Sequence, residues 1–495
     1  MNSNQKFFKK YNLVLNLLQK MSLHFLLAFL LLGCAENFDE DEIRFGIAQK
    51  PQQLDPRFQS DAASKKLSYL IYTSFIYLDD EFLPRSNVVT FKKKNNLQYA
   101  FQLKKDLPSF SGGSTLNIND IIATISNLKD LSTSPYYQQL KNIKSIEKVS
   151  DNIFHIHLFK NEPNFLSQLN FFILPEKLLN ENHNFSVNPA GSGIFKMIES
   201  SPNIKLVRRK DDQRINLIEI KDPTVRVLKL INGEIDLIQN DLPFEMIKVI
   251  QDNKNLNAIS SFGSNVSYVG FNFKDKYLKN IQFRRALSLA INQREILEFF
   301  LPEKSRLSQQ ILPPEHWASV DITDDNYDPN EARKLISQMS LKPIKLVLKT
   351  STDPFRVKIA TIIQKQLKDV GIDLEIKSLD WGTFFRDIQS GNFQLYTLTW
   401  VGITNPDIYF KIFSSTQLPP SGLNRGQYIN KRMDQHLSEA IEKNVWNKVI
   451  LKAYRDKGLI PLWYEGGFAA FRKNISDYKL SFDGSWNGLD GIKKN

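Results

Sequence analysis

From residue 43 the chain alternates apolar and polar positions in Ile43-Arg44-Phe45-Gly46-Ile47, the period of a strand with one face buried. Residues 63–77 then carry apolar side chains at helical spacing. Strand followed by helix is an α/β opening. Alternation returns in Tyr99-Ala100-Phe101-Gln102-Leu103 and in Ile153-Phe154-His155-Ile156-His157-Leu158. Between them Ser111-Gly112-Gly113-Ser114 makes a turn, and Asn119-Asp120 is placed to cap a helix over 121–128. Asn188-Pro189-Ala190-Gly191-Ser192-Gly193 is the most turn-dense stretch of the middle and marks a crossing between units. Later, 359–367 predicts a helix stopped by Gly371, and Ile372-Asp373-Leu374-Glu375-Ile376 the next strand. The same rhythm recurs around 393–400, and no short repeat or low-complexity tract interrupts it.

The first 33 residues follow a different pattern. Lys6, Lys9, Lys10 and Lys20 stand there without one acid, and Phe25 to Leu32 is an unbroken apolar run of eight residues. A basic start before a short apolar core is the pattern of an export signal. The run is well below the ~20 residues a membrane-spanning helix needs. Leu31-Leu32-Gly33-Cys34 follows and resembles the bacterial lipoprotein cleavage box, with Leu32 bulkier than usual there. A buried thiol in an amphipathic first helix is the alternative, but the only cysteine of the chain falls at the end of the export pattern, which favours acylation of Cys34. The acidic stretch Glu36-Asn37-Phe38-Asp39-Glu40-Asp41-Glu42 behind it is then a solvated tether.

Composition narrows the class. With 495 residues, 42% hydrophobic and 24% charged, the chain is globular in type and long enough for about three domain-sized units. One cysteine excludes an intrachain disulfide and any multi-cysteine zinc site. Net charge is +12 and falls to +8 once the four lysines of the signal are removed; acids interleave with bases, so nucleic acid is not the expected partner.

Catalytic patterns are missing from the sequence. Ala190-Gly191-Ser192-Gly193 lacks the spacing of a nucleophile elbow, and there is neither a Walker loop nor a dinucleotide-binding glycine triplet. His155 and His157 share one face of a strand and could seat a metal, but the sequence places no third ligand beside them. Asp79-Asp80 and Asp324-Asp325 lie in polar, turn-like stretches and read as surface loops.

A series of segments, in order, resembles the family 5 extracellular solute-binding proteins, the oligopeptide, dipeptide and nickel receptors of ABC importers. It begins with Pro51-Gln52-Gln53-Leu54-Asp55-Pro56, then residues 99–106, Phe110-Ser111-Gly112-Gly113 and Asn119-Asp120. Ser134-Pro135-Tyr136, Leu174-Pro175 and 188–195 follow, the last matching the family's Pro-x-Gly-Thr-Gly-Pro-Tyr turn with Ile194-Phe195 in place of Pro-Tyr. Next come Asn232-Gly233-Glu234-Ile235-Asp236, Val269-Gly270-Phe271-Asn272-Phe273 and the most specific run, 283–292. Tyr327-Asp328-Pro329, Ala332-Arg333-Lys334-Leu335, Gly371-Ile372, Trp381, Trp400, 424–428 and Ile460-Pro461-Leu462 carry the match nearly to the end.

The resemblance implies an α/β, two-lobed periplasmic-binding-protein fold with an extra α+β domain inserted in the first lobe. Signal peptide and tether would be 1–33 and 34–41; lobe I 42–77, 187–265 and 470–495; the inserted domain 78–186; lobe II 266–469. It implies a guest held between the lobes, with Ser60 to Ala62 and Val401-Gly402 offering backbone partners. Tyr136, Trp381, Trp400, Asn424 and Tyr428 would line pockets, plain core packing being the alternative for each aromatic.

Two departures stand out. Where the family places an amine-binding aspartate three residues after the tryptophan, this chain has Ile403; Asp407, four residues on, either replaces that charge or matches the family's later acid near the loop end. An ammonium without its carboxylate forgoes roughly 1.5–3 kcal/mol. Where dipeptide receptors use an arginine, Thr350 stands, with Arg356 nearby. The expected protein is a monomeric, exported receptor, lipid-anchored through Cys34 in the periplasm or cell envelope. It captures peptides, oligopeptides foremost, for the transmembrane subunits of an ABC permease, without cofactor or catalysis. The alternatives are the same fold binding a metal chelate or haem, or an envelope lipoprotein outside transport.

Overall fold

The opening strand forms over Ile43–Ile47, with Ile43, Phe45 and Ile47 buried. The structure is a computed structural model that describes residues 41–59, 61–322, 327–339, 343–420 and 422–495; Cys34 and Ser60 lie outside them. Ile43–Asn495 makes one compact unit of mixed α/β structure. Among the described residues no helix is long and apolar enough to cross a membrane.

One large sheet organises the unit. From one edge its order is Ile372–Leu379, Ile344–Ser351, Leu395–Trp400, Leu256–Phe271, Ile460–Arg472, Leu237–Gln239, Ile43–Ile47, Arg214–Glu219, Ile204–Arg208 and Phe195–Glu199. The two long strands, Leu256–Phe271 and Ile460–Arg472, run antiparallel and belong to both halves of the sheet. At one end Val266 to Phe271 pair with Trp400 to Leu395; at the other, Ala469 to Phe471 pair with Gln239 to Leu237. Period-two alternation buries both faces. Leu237, Ala469 and Phe471 point into one core while Ile238, Phe468 and Ala470 enter another. In the other half Val269, Phe271 and Leu395 face one core and Val266, Tyr268 and Tyr396 the opposite one.

The long strands break register between Ser261 and Asn265 and again between Ser267 and Tyr268, where the chain passes from one half to the other. A β-carbon on Gly263 would sit 2.0 Å from the Glu465 carbonyl oxygen, so the strands approach too closely there for a side chain.

A separate four-stranded antiparallel sheet orders Val89–Asn95, Gln98–Leu103, Ile153–Leu158 and Ile143–Lys148. The helix Ile118–Asp130 packs on it through Ile121 and Ile125 against Phe101 and Phe154. That helix starts earlier than the sequence signal suggested. Asn117 is the N-cap, accepting from the Asn119 amide at 2.8 Å, and Asp120 completes the capping box by accepting from the Asn117 amide at 2.9 Å. The helix expected over 359–367 likewise runs Pro354–Asp369, because Asp353 caps it and Pro354 fits its first turn.

Candidate ligand-binding site

Strand direction locates the cleft. Ile344–Ser351 runs parallel to both Ile372–Leu379 and Leu395–Trp400, and Ile43–Ile47 runs parallel to Leu237–Gln239 and Arg214–Glu219. The pairing of Trp400 with Val266 and of Gln239 with Ala469 turns the carboxyl ends of both parallel sets towards the crossing segment. Ligands of open α/β sheets bind outside such carboxyl ends.

At that edge the last residue of its strand, Trp400, stacks on Tyr268 with centroids 5.8 Å apart and planes at 6°. The Arg425 guanidinium lies 5.0 Å from the Trp400 ring and 5.1 Å from Phe385. Phe385 stacks in turn on Trp381, 5.7 Å away. Tyr268, Trp400, Arg425, Phe385 and Trp381 thus form one column, and Trp381, 60% exposed, is its solvent end.

Beside the column, Glu465 Oε1 accepts from Ser267 Oγ at 2.6 Å, Thr399 Oγ1 at 3.1 Å and Arg356 Nη2 at 3.1 Å. Arg356 enters from the first turn of its helix and also donates to Ser267 Oγ at 2.9 Å. The next turn of sequence carries Lys358, whose Nζ lies 2.9 Å from Glu245 on the helix Phe244–Gln251. A carboxylate follows in the loop after the tryptophan strand. Asp407 Oδ1 accepts from Asn164 Nδ2 at 3.2 Å, and Asn164 also reaches Asn405 at 3.3 Å. Burial holds the Asp407 carboxyl above the usual range, Asn164 and Lys411 opposing that rise in part and Glu162 adding to it.

The other residues singled out in the sequence fall in varied places. Val401 is exposed, and Gly402 has φ +66 with its amide donating to Asn265 Oδ1 at 3.2 Å. Asn424 is fully buried. Its amide nitrogen donates to the Ser414 and Tyr428 carbonyls and its oxygen accepts from the Tyr428 amide, fixing the loop. The Tyr428 hydroxyl donates to Asp456 while its ring meets Phe273 and Phe413 edge-on. Tyr136 packs in the core of the four-stranded sheet, and burial raises its phenol to about 12. Ala62 is exposed at the start of its helix. Ile403 is buried in an apolar core, and Thr350 is buried with its hydroxyl accepting from Thr397.

A family profile, that of bacterial extracellular solute-binding proteins, family 5 (middle segment), matches residues 88–418. The chain belongs to this family. Among the relatives of this family 5 protein is the oligopeptide-binding protein AppA of Bacillus subtilis, 23% identical, the alignment spanning 93% of this chain and 96% of AppA. Its fold is that of the ABC transporter substrate-binding protein CtaP of Listeria monocytogenes, with TM-score 0.82 at 19% identity over 92% of this chain and 99% of the other. NikZ from Campylobacter jejuni, solved with Ni(L-His), superposes with TM-score 0.74 at 22% identity, covering 92% of this chain and all of NikZ.

Several residues of this candidate site were not singled out in the sequence, Phe385 and Asn164 among them. Arg425, Glu465 and Tyr268 come together only when distant strands and the 423–428 loop meet, and no spacing signals that. Away from the cleft, the third group beside the histidine pair is Glu147, from the neighbouring strand. Its Oε2 is 3.0 Å from His157 Nε2 and 3.8 Å from His155 Nδ1.

Proposed function

We propose that this solute-binding protein is the receptor of an ABC importer, capturing peptides, oligopeptides foremost, between two lobes and handing them to the permease's transmembrane subunits. The reading carries with it acylation at Cys34, a place in the periplasm or cell envelope at the membrane, a monomer, and no cofactor or chemistry of its own. Lobe I would be 42–77, 187–265 and 470–495, lobe II 266–469, and 78–186 an added domain.

One observation carries the reading: the carboxyl ends of both parallel strand sets turn towards one edge, where Trp400 ends its strand in an aromatic column and the loop that follows carries the desolvated carboxylate of Asp407. Flat aromatic walls accept varied side chains, and a desolvated carboxylate suits a peptide's α-amino group. The oligopeptide-binding name of AppA, over nearly the whole length, agrees with it. A second reading, a metal chelate, draws on NikZ with Ni(L-His) and on Ile403, which puts an apolar core residue where peptide receptors of this family place the amine-binding acid.

Native mass spectrometry of the purified protein, followed by denaturation, separates them. A ladder of peptide masses is the expected result. A metal complex, or a protein that is empty and shows no thermal shift with a peptide library, would remove peptide capture.

A further inference from the structure

The aromatic column holds a cation that its surroundings do not neutralise. Arg425 is half-buried, within 5.1 Å of the Trp400 and Phe385 ring centroids and close enough to Tyr268 to act on its hydroxyl, yet among the described residues no carboxylate lies within ion-pair distance of it. Two further polar atoms beside it are orphaned. Trp400 Nε1 and Tyr268 Oη are buried without a hydrogen-bond partner. Tyr268, 2% exposed, feels both Arg425 and the Tyr396 hydroxyl, although neither meets it at hydrogen-bonding geometry. Tyr268, Tyr396, Trp400 and Arg425 line one narrow cavity.

Buried polar groups are nearly always paired, and each left unpaired costs free energy comparable to a lost hydrogen bond. The indole N–H and the guanidinium only donate, and the phenol donates as well as accepts. The partner that satisfies them together brings acceptors and negative charge. A planar guanidinium carries its donors as a fork, the geometry that matches a carboxylate.

We propose that Arg425, with Trp400 Nε1 and Tyr268 Oη, binds a carboxylate of the guest, so that the receptor selects for acidic ligands. This rests on the reading that a guest enters the cleft and deepens it by naming the group recognised. The carboxylate comes from an acidic side chain or from a peptide's C-terminus, and the two are distinguishable.

The test is calorimetry on the full-length protein in detergent with three series of peptides of one length. The first has free C-termini and neutral side chains, the second C-terminal amides with one glutamate, the third neutral amides. One or both acidic series should bind roughly tenfold or more tightly than the neutral amides, and which one does names the source. Arg425→Gln should abolish that preference, Arg425→Lys should restore part of it, and Trp400→Phe, which keeps the stack but removes the donor, should narrow it. Equal binding of all three series by the wild type, or a preference that survives Arg425→Gln, overturns the proposal. If no peptide binds, peptide capture falls, and citrate then serves as the probe: a thermal shift present in wild type and lost in Arg425→Gln upholds the carboxylate site, and no difference overturns it.

Discussion

Arg356 and Glu465 meet at 3.1 Å where the two long strands pass from one half of the sheet to the other. Because Glu465 Oε1 also takes the Ser267 and Thr399 hydroxyls, a single oxygen gathers donors from three segments. Glu465→Gln keeps the shape but removes the charge and turns one acceptor end into a donor facing donors. The expected loss is about 1–2 kcal/mol, read from the midpoint of urea unfolding. An unchanged midpoint would show that the cluster is solvated and structurally idle.

Backbone proximity at the same place sets a second expectation. Gly263→Ala drives a methyl against the Glu465 carbonyl, with 2.0 Å between the atoms before relaxation. The strands must part, at a cost of roughly 1–3 kcal/mol. Thermal melting should show it, while Gly112→Ala, whose added carbon meets nothing within 4 Å, should melt close to wild type.

The two glycines differ in a way the sequence does not reveal. Local patterns were legible where one element suffices: the strand Ile153–Leu158 and the helix stop at Gly371, φ +88, lie where alternation and glycine place them. The long strand Leu256–Phe271 was not, because Ser260 to Asn265 breaks the alternation at the crossing, and what holds it is pairing with residues some two hundred positions later. The same holds for the site. Trp400 and Trp381 stand out as residues, but their common column depends on Arg425 and Phe385 sliding between them. Glu147 escaped notice beside His155 because it is a cross-strand neighbour, not a sequence neighbour.

His316 gives the fold a pH dependence. It is 2% exposed, with Phe82 and Trp317 rings 5.0 and 5.4 Å away, and its Nδ1 accepts from the Ala318 amide. Burial lowers it from 6.5 to about 4, the Thr404 backbone opposing. A depressed folded pKa means that the contribution is full above 6.5 and is lost as pH falls from there towards 4, up to about 3 kcal/mol. His316→Gln should flatten stability over that window in urea melts at pH 7, 5.5 and 4. A wild type equally stable at pH 7 and 4.5 would refute the assignment.

Anchoring is tested at the one cysteine. Cys34→Ala removes the acylation point that the export pattern leads to. The protein should then move from the detergent phase to the aqueous phase in cell fractionation, since acyl chains supply most of the membrane affinity. Retention of the variant in the detergent phase would exclude the lipid anchor.

Asp407 links pH to capture. Its carboxyl is raised chiefly by burial, so the folded protein binds this proton more tightly than the unfolded chain does. The sign follows: the group favours the fold at low pH, and that favour is lost as pH rises through its raised pKa, leaving a poorly solvated anion above it. An ammonium brought by a peptide would relieve that anion. Peptide affinity should therefore fall as pH drops through the Asp407 titration, with protons released on binding near its midpoint, visible as buffer-dependent heats in calorimetry. Asp407→Asn should weaken binding by roughly tenfold or more at a pH above that titration and remove the pH dependence, while an N-acetylated peptide should lose the same factor with wild type and nothing further with the variant. Equal losses on acetylation in both proteins would place the amine elsewhere in the cleft.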